Sequence, residues 1–197
     1  MFEDNLLGVA IQAANSGTTT KLMISTSVMF GAPIGAGITA AATLGGTVWL
    51  QASGNRISRV GNGIDVRSDL SASAFASISG NAISNNSDNG IVLQGTNTHV
   101  TIVGNTVSNH AAWGILVLHG ASASISNNAI SGNAVGIYAA DSGTKVTVGG
   151  NVVADNAGEG FRNDAPATFM TRSDNTLTGN LGGGVQTFGP ITTVGGF

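Results

Sequence analysis

The chain has 197 residues, enough for one domain or one short repeat array, and its 9% of charged residues lies far below the globular average of about 25%. Thirty Gly and many Ser, Thr and Asn suit stacked short strands better than helices. The seven basic residues are spread singly on a chain of net charge −3, which argues against a nucleic-acid partner, and the absence of Cys excludes disulfides, thiolate metal sites and Cys nucleophiles.

Residues 1–17 predict a short N-terminal capping helix, with Asp4 or Asn5 as N-cap and Gly17 in the stop signal. The apolar residues that fall on one helical face are Leu6, Leu7, Ala10, Ile11 and Ala14. Such a helix can cover the open hydrophobic end of a repeat array. The acidic start lacks the basic region of a secretory signal, so a signal is either absent or already removed.

The apolar stretch from Leu22 to Leu50 predicts strands, not a membrane span. Ser, Thr, Gly and Pro33 interrupt it before it reaches the ~18 to 20 consecutive apolar residues of a spanning helix. We therefore expect residues 18–197 to form one array of strands.

A repeated phrase organises the chain from about residue 46 to residue 187: an Asn, an aliphatic residue two positions later, and then a Gly-aliphatic pair. The Asn residues are Asn55, Asn81, Asn105, Asn128, Asn151 and Asn175. Subtracting their numbers gives separations of 26, 24, 23, 23 and 24. A period of this length is typical of a solenoid.

Each coil predicts three short strand segments whose inward residues alternate at period two. The segment before the Asn points inward through Leu50/Ala52, Ala76/Ile78, Val100/Ile102, Ala123/Ile125 and Val146/Val148. The next coil places Met170 and Arg172 at these positions, so either the register slips there or the core opens. We expect the Asn to occupy a left-handed turn and to stack on its neighbours, with a structural role.

A second, looser polar rung follows the first at Asn86, His110, Asn133, Asn156 and Asn180. His110 stands where the other coils have Asn. We interpret it as a substitute within the ladder or as an exposed turn residue.

These residues carry a resemblance: Gly-Asn-x-Ile-Ser-x-Asn followed by Gly-Ile-x-Leu, as in 80–93, resembles the right-handed parallel β-helix repeat of the pectate-lyase-like superfold. The resemblance implies an all-β, right-handed parallel β-helix (solenoid) of about six to eight coils. It also implies extracellular or surface work on glycans. Members with this coil include lyases, glycoside hydrolases, epimerases, phage tailspikes and adhesin passengers, so fold alone does not give activity.

The resemblance further implies that catalytic groups project from the sheet formed by the Gly-aliphatic segments. The centre of that face is apolar, and the family's hydrolase and epimerase motifs are missing: Leu118-His119-Gly120 matches only part of one. Calcium repeats of the Gly-Gly-x-Gly-x-Asp type are also missing, so we predict no metal site and no cofactor.

One cluster of chemistry-bearing residues lies on this face. His119 and Asp141 each lie five residues after their coil's Gly, which predicts that they are neighbours about 4.8 Å apart along the stack. Asp164, Arg162 and Tyr138 belong to the same face. His119, Asp141 and Asp164 are the candidate catalytic groups, Tyr138 and Arg162 the candidate substrate-binding groups, and a solvated edge with a weak Arg162/Asp164 pair is the alternative.

Two other surfaces stand out. An apolar outward strip is predicted to contact another subunit or to be covered by the segment Phe188–Phe197; it consists of Val92, Leu116, Leu118 and Tyr138. Rows of Ser and Thr precede the Asn turn, as at Ser77 and Ser124. They can order water, as in ice-binding solenoids, or simply satisfy outward strand positions.

We therefore predict a non-catalytic, extracellular or cell-surface β-helix scaffold that binds polysaccharide. Two alternatives stay open. The first is a polysaccharide lyase, glycoside hydrolase or epimerase that uses the cluster around His119. The second is a segment of a longer adhesin passenger or tailspike.

Overall fold

The computed structural model describes residues 2–3, 8–31, 34–183 and 186–195. The strands are β1 (Phe2–Glu3), β2 (Val9–Ala13), β3 (Thr19–Ser25), β4 (Val28–Phe30), β5 (Ala36–Ala42), β6 (Thr47–Ser53), β7 (Arg56–Ser58), β8 (Asn62–Ser68), β9 (Ser73–Ser79), β10 (Ala82–Ser84), β11 (Ile91–Gln94), β12 (Thr98–Val103), β13 (Thr106–Ser108), β14 (Trp113–Leu118), β15 (Ser122–Ser126), β16 (Ala129–Ser131), β17 (Val135–Ala139), β18 (Lys145–Gly149), β19 (Val152–Ala154), β20 (Phe161–Asn163), β21 (Thr168–Arg172), β22 (Thr176–Thr178), β23 (Thr187–Phe188) and β24 (Ile191–Val194). A 3₁₀ helix spans Asn180–Gly183.

Every third strand joins the same parallel sheet, so the chain winds as a parallel β-helix of about seven turns. Sheet A runs β1-β4-β7-β10-β13-β16-β19-β22. Sheet B runs β2-β5-β8-β11-β14-β17-β20-β23. Sheet C runs β3-β6-β9-β12-β15-β18-β21-β24.

The interior is one continuous apolar core built from three inward stripes. Ile78 of sheet C, Ile83 of sheet A and Leu93 of sheet B are fully buried, and their equivalents repeat coil after coil. Because side chains alternate along a strand, the neighbours of these residues in sequence point outward. The predicted inward pairs from Leu50/Ala52 to Val146/Val148 are confirmed: all are core residues except Ala76, which is partly buried and packs against the core.

The predicted N-terminal helix is wrong within the described residues. Val9–Ala13 is a strand that pairs residue by residue with β5, from Val9 opposite Ile38 to Ala13 opposite Ala42. This pairing continues sheet B and turns Ala13 into the core, so tertiary pairing outweighs the local helical pattern. Residues 4–7, where the helix was predicted to start, lie outside the described part of the chain.

The register slips at β21, which resolves the position of Arg172. Val146 pairs with Phe169 and Val148 with Thr171, so Met170 and Arg172 point outward. Phe169 is almost fully buried and packs against Phe161 with ring centroids 5.3 Å apart. Of the two predicted alternatives, the register slip is therefore correct, and the core stays closed by an aromatic pair.

The ladder of the six repeated Asn residues is confirmed. The backbone N–H and Nδ2 of Asn105 both donate to Oδ1 of Asn128, at 2.8 and 3.0 Å, and the same pair of bonds links every step from Asn55 to Asn175. The prediction that the ladder Asn is the left-handed residue of the turn is wrong. The residue before it has that conformation, as Gly80 does with a φ of 61°. Gly tolerates this conformation at low cost.

The second rung is also a buried ladder. Asn133 donates through its backbone N–H and Nδ2 to Asn156, and Asn156 donates in the same way to Asn180. His110 is 3% exposed and lies within this row: its Nδ1 accepts the backbone N–H of Asn86 at 3.2 Å. The interpretation of His110 as a ladder substitute is the correct one.

Candidate functional site

His119 and Asp141 meet just beyond the ends of β14 and β17, as their equal spacing from Gly predicts. Their Nε2 and Oδ2 atoms are 3.3 Å apart, and the backbone N–H of His119 donates to the same Oδ2 at 3.2 Å. Both residues have left-handed backbones, with φ of 55° and 74°. Their side chains are 60% and 46% exposed, so the pair is solvated and adds little stability.

A second group lies on the next coils of sheet B and is tied together by Asp164. Tyr138 Oη donates to Asp164 Oδ2 at 2.6 Å, and Arg162 Nε donates to Oδ1 at 3.2 Å. The Arg162 guanidinium lies 5.4 Å from the Tyr138 ring centroid and 5.2 Å from that of Phe188. Trp113 stacks on Tyr138 at 5.4 Å. Every charged group here already has a partner within the chain.

The electrostatics of this group do not prepare it for proton transfer near neutral pH. The hydrogen bond from Tyr138, with help from Arg162, holds the pKa of Asp164 below its usual value. Burial, and then the Asp164 hydrogen bond, raises the pKa of Tyr138 to about 12. An efficient general acid or base has a pKa near the operating pH. The two shifts move the pKa values of Tyr138 and Asp164 further from neutral pH.

The predicted cluster is thus two separate groups. Across residues 8–31, 34–183 and 186–195, no hydrogen bond or ion pair joins the His119/Asp141 pair to Tyr138, Arg162 or Asp164. The charge of Asp141 still raises the pKa of Tyr138 slightly, so the groups are within electrostatic reach.

A cavity of about 390 Å³ lies at the edge of sheet B, where the strands end. Arg67, Gln94 and His119 contribute to its wall. Arg67 also pairs with Asp65 at 3.3 Å, and burial raises the pKa of Asp65, whose Oδ1 has no hydrogen-bond partner. This cavity is the part of sheet B that best resembles a ligand site.

The outward apolar strip of sheet B is less accessible than its sequence indicates. Val92 and Leu116 are only 2% and 5% exposed, so Leu118 and Tyr138 provide most of its surface. The C-terminal segment does not cover it as predicted, because β24 pairs with β21 in sheet C. Residues 196–197 lie outside the described chain, and a subunit contact through the strip stays a prediction.

A large cavity lies on the outer face of sheet C, where the sequence indicated the Ser and Thr rows but not the aromatic residues beside them. This sheet C groove has a volume of about 890 Å³ and runs across the coils from β3 to β21. Along one side, Trp49, Phe75 and His99 stack on one another, with ring centroids 4.4 and 5.6 Å apart and interplanar angles of 18° and 19°. Phe75 is therefore covered on both ring faces.

A second row runs beside the aromatic stack in the sheet C groove and is mainly polar. Paired residues of successive strands form it: Met23, Gln51, Ser77, Thr101, Ser124, Thr147 and Met170. Each aromatic residue directly precedes a correctly predicted inward residue, Leu50, Ala76 or Val100. That alternation was the signal from which the stack could have been found.

Within the described chain, no group of three or more His, Asp or Glu side chains is placed to hold a metal ion. No helix of that same part is both long and apolar enough to cross a bilayer.

Comparison with known proteins gives one match. The family described as the right-handed beta helix region matches residues 37–192, most of the chain and nearly all of its coils. No curated protein and no solved structure matches significantly. The repeated coil, the three parallel sheets and this match agree, and the chain belongs to the right-handed β-helix family.

Proposed function

We propose that this β-helix is a non-catalytic scaffold, extracellular or at the cell surface, that binds glycans along the sheet C groove. The observation that carries the proposal is the groove itself. It is an open groove of about 890 Å³, and each coil that it crosses contributes one side chain to each of its two rows. Such a surface suits a linear chain better than a small compact molecule.

The composition of the groove supports a polyhydroxylated ligand. Trp49 is 48% exposed and Met23 is 71% exposed, which leaves apolar surface for the C–H groups of sugar rings. Ser77, Thr101 and Ser124 offer hydroxyls beside it, each able to donate and to accept a hydrogen bond. Coils repeat about every 4.8 Å, which is close to the advance of one sugar in an extended β-linked chain.

The electrostatics of sheet B support a non-catalytic role. Asp164 is held ionised by Tyr138 and Arg162, and the His119/Asp141 pair is open to water. A glycosidase or lyase instead needs an acid or base tuned by a secluded site.

An enzyme acting on polysaccharide is the second candidate, and one observation favours it. His119 lies in the wall of the 390 Å³ cavity with Arg67 and Gln94, while Asp141 accepts two contacts from His119. In that case His119 would transfer the proton, and Arg67 would bind an acidic sugar.

A glycan array together with a reducing-sugar assay separates the two functions. The sequence has two Trp residues, each stacked on an aromatic neighbour: Trp49 on sheet C and Trp113 on sheet B. Trp49→Ala in the sheet C groove should weaken glycan binding at least about tenfold, as for a central interface Trp. The matched variant Trp113→Ala on sheet B should bind as the wild type does.

The enzyme candidate predicts product release that depends on His119. Release of reducing ends or unsaturated sugars by the wild type, abolished by His119→Ala, would establish the enzyme. Binding that is lost in Trp113→Ala and kept in Trp49→Ala would move the glycan site to sheet B, around Tyr138 and Arg162.

A further inference from the structure

The two lysines of the chain both lie in the sheet C groove. Lys21 and Lys145 belong to the same outward row as the aromatic stack, because strand pairing leads from Lys21 through Trp49, Phe75, His99 and Ser122 to Lys145. Both side chains are exposed. Five steps of about 4.8 Å separate them, so one ammonium group stands at each end of a row roughly 24 Å long.

Among the residues that the structure describes, no carboxylate lies in the sheet C groove to neutralise these lysines. The described lining has no Asp or Glu, although the chain as a whole has ten acidic and seven basic residues. A positive groove on a chain of net charge −3 is a local reversal of charge. Electrostatic complementarity then favours a negatively charged partner.

The aromatic stack adds to the same preference. Trp49 and His99 cover the two faces of Phe75, so a ligand in the groove meets the edge of that ring. The edge of an aromatic ring carries the positive end of its quadrupole, whereas cations bind to the face. Ring edges therefore favour oxygen-rich groups and offer little to a cationic ligand.

The density of charge distinguishes between anionic polymers. A nucleic-acid strand with a phosphate every ~3.4 Å would place about seven charges along the same 24 Å. The groove offers two lysines for them. It fits a polymer whose negative charges are few and widely spaced, with uncharged units over the aromatic and hydroxyl rows.

A second copy of this chain is a poor occupant for the same reason. If two grooves faced each other, each lysine would lie over Lys21 or Lys145 of the partner, with no carboxylate in either lining. Like charges brought together in this way oppose association.

We infer that the sheet C groove selects linear glycans with sparse acidic groups, which Lys21 and Lys145 bind at its two ends while uncharged sugars lie between them. This inference rests on the proposed glycan-binding function and narrows its ligand. The ligand class follows from the two lysines, the carboxylate-free lining and the ring edges.

The test uses a glycan array on which acidic polysaccharides, among them glucuronoxylan, stand beside their carboxyl-reduced forms. The wild type should bind glucuronoxylan about tenfold more tightly than its reduced form, as two exposed charge contacts imply, and salt should diminish the difference. Lys21→Gln/Lys145→Gln should bind both forms alike. Arg56→Gln/Arg172→Gln, which changes two exposed charges away from the groove lining, should keep the preference.

The outcomes separate this inference from the proposed function. Equal binding of acidic and reduced forms by the wild type, or a preference that survives in Lys21→Gln/Lys145→Gln, overturns the inference and leaves glycan binding intact. An array without any bound glycan refutes both. Binding of an acidic peptide such as poly-glutamate, with no acidic glycan bound, would assign the groove to a protein partner.

Discussion

Replacing His110 by Asn should remove a pH-dependent weakness from the second ladder. Burial lowers the pKa of His110 to about 4, and the Ile83 carbonyl offsets only part of that effect. Nδ1 already accepts the N–H of Asn86, while Nε2 has no hydrogen-bond partner of ordinary geometry. Protonation of Nδ1 would place its N–H against the backbone N–H of Asn86, so that two donors face each other. The folded chain therefore keeps His110 neutral.

The size of the effect follows from linkage between protonation and folding. His110 has a pKa of about 4 in the folded chain and 6.5 as the reference value. Between these pH values the unfolded chain binds one more proton, so the free energy of unfolding falls as the pH falls. At about 1.4 kcal/mol per pH unit, the total loss between pH 6.5 and 4 is about 3 kcal/mol. Above pH 6.5 this contribution is fully present.

Urea unfolding at a series of pH values from 7.5 to 4 measures this contribution. The free energy of unfolding of the wild type should fall by about 3 kcal/mol relative to His110→Asn across the series. Taking the difference cancels the carboxylates, among them Asp65 and Asp164, that titrate in both proteins. His119→Asn, on an exposed histidine, should keep the wild-type profile. Parallel profiles for wild type and His110→Asn would refute the reasoning.

Two further predictions concern the coil itself. Asn128→Ala leaves the backbone N–H of Asn105 without its acceptor, removes one of the three acceptors of Asn105 Nδ2 and deletes the bonds that Asn128 Nδ2 donates, so it should cost about 3 kcal/mol in urea unfolding. Asn97→Ala, at one exposed bond, should change stability by less than about 0.5 kcal/mol. Gly90→Ala would press a Cβ against the Gly114 carbonyl and Val107 and should cost about 2 to 3 kcal/mol in thermal unfolding. Gly104→Ala has open space around the new Cβ but a left-handed backbone with a φ of 65°, so it should cost only about 1 kcal/mol. If the two variants of a pair lost the same free energy of unfolding, the contact assigned to that pair would not account for the stability.

Contacts between equivalent positions of successive coils could be predicted from the sequence. Ladder residues such as Asn128 recur because each must meet its copy in the next coil, so spacing alone identified them. The neighbourhood of His119 and Asp141 followed from the same logic, since both lie five residues after an equivalent Gly. Where a contact joins equivalent positions, sequence period is enough to predict it.

Departures from the repeat were harder to predict. Val9–Ala13 has a helical pattern when it is read alone, and its strand form depends on β5, which lies more than 20 residues later. The one-residue slip that turns Arg172 outward is visible only once Phe169 is seen in the core. Long-range pairing decided both cases, against the local signal.

The aromatic side of the sheet C groove could not be predicted for a related reason. The family resemblance implies catalysis on sheet B, and on sheet C the sequence indicated only the Ser and Thr rows. Trp49, Phe75 and His99 carry no catalytic pattern and share no residue type, although their separations of 26 and 24 residues equal those of the ladder Asn residues in the same coils. Their proximity becomes evident only when the outward rows of sheet C are aligned through their buried neighbours.

The direction of the ladder bonds makes the two ends of this molecule unequal. In each step the earlier coil provides both donors and the later coil the oxygen, as from Asn81 to Asn105. Removing a later coil leaves a backbone N–H and one Nδ2 hydrogen without an acceptor. Removing an earlier coil leaves only the other Nδ2 hydrogen without one, because Nδ2 also donates to a carbonyl of the earlier coil, as from Asn81 to Ala52. Because a buried donor without a partner is costly, loss of coils from the C-terminal side should destabilise the stack more than loss from the N-terminal side.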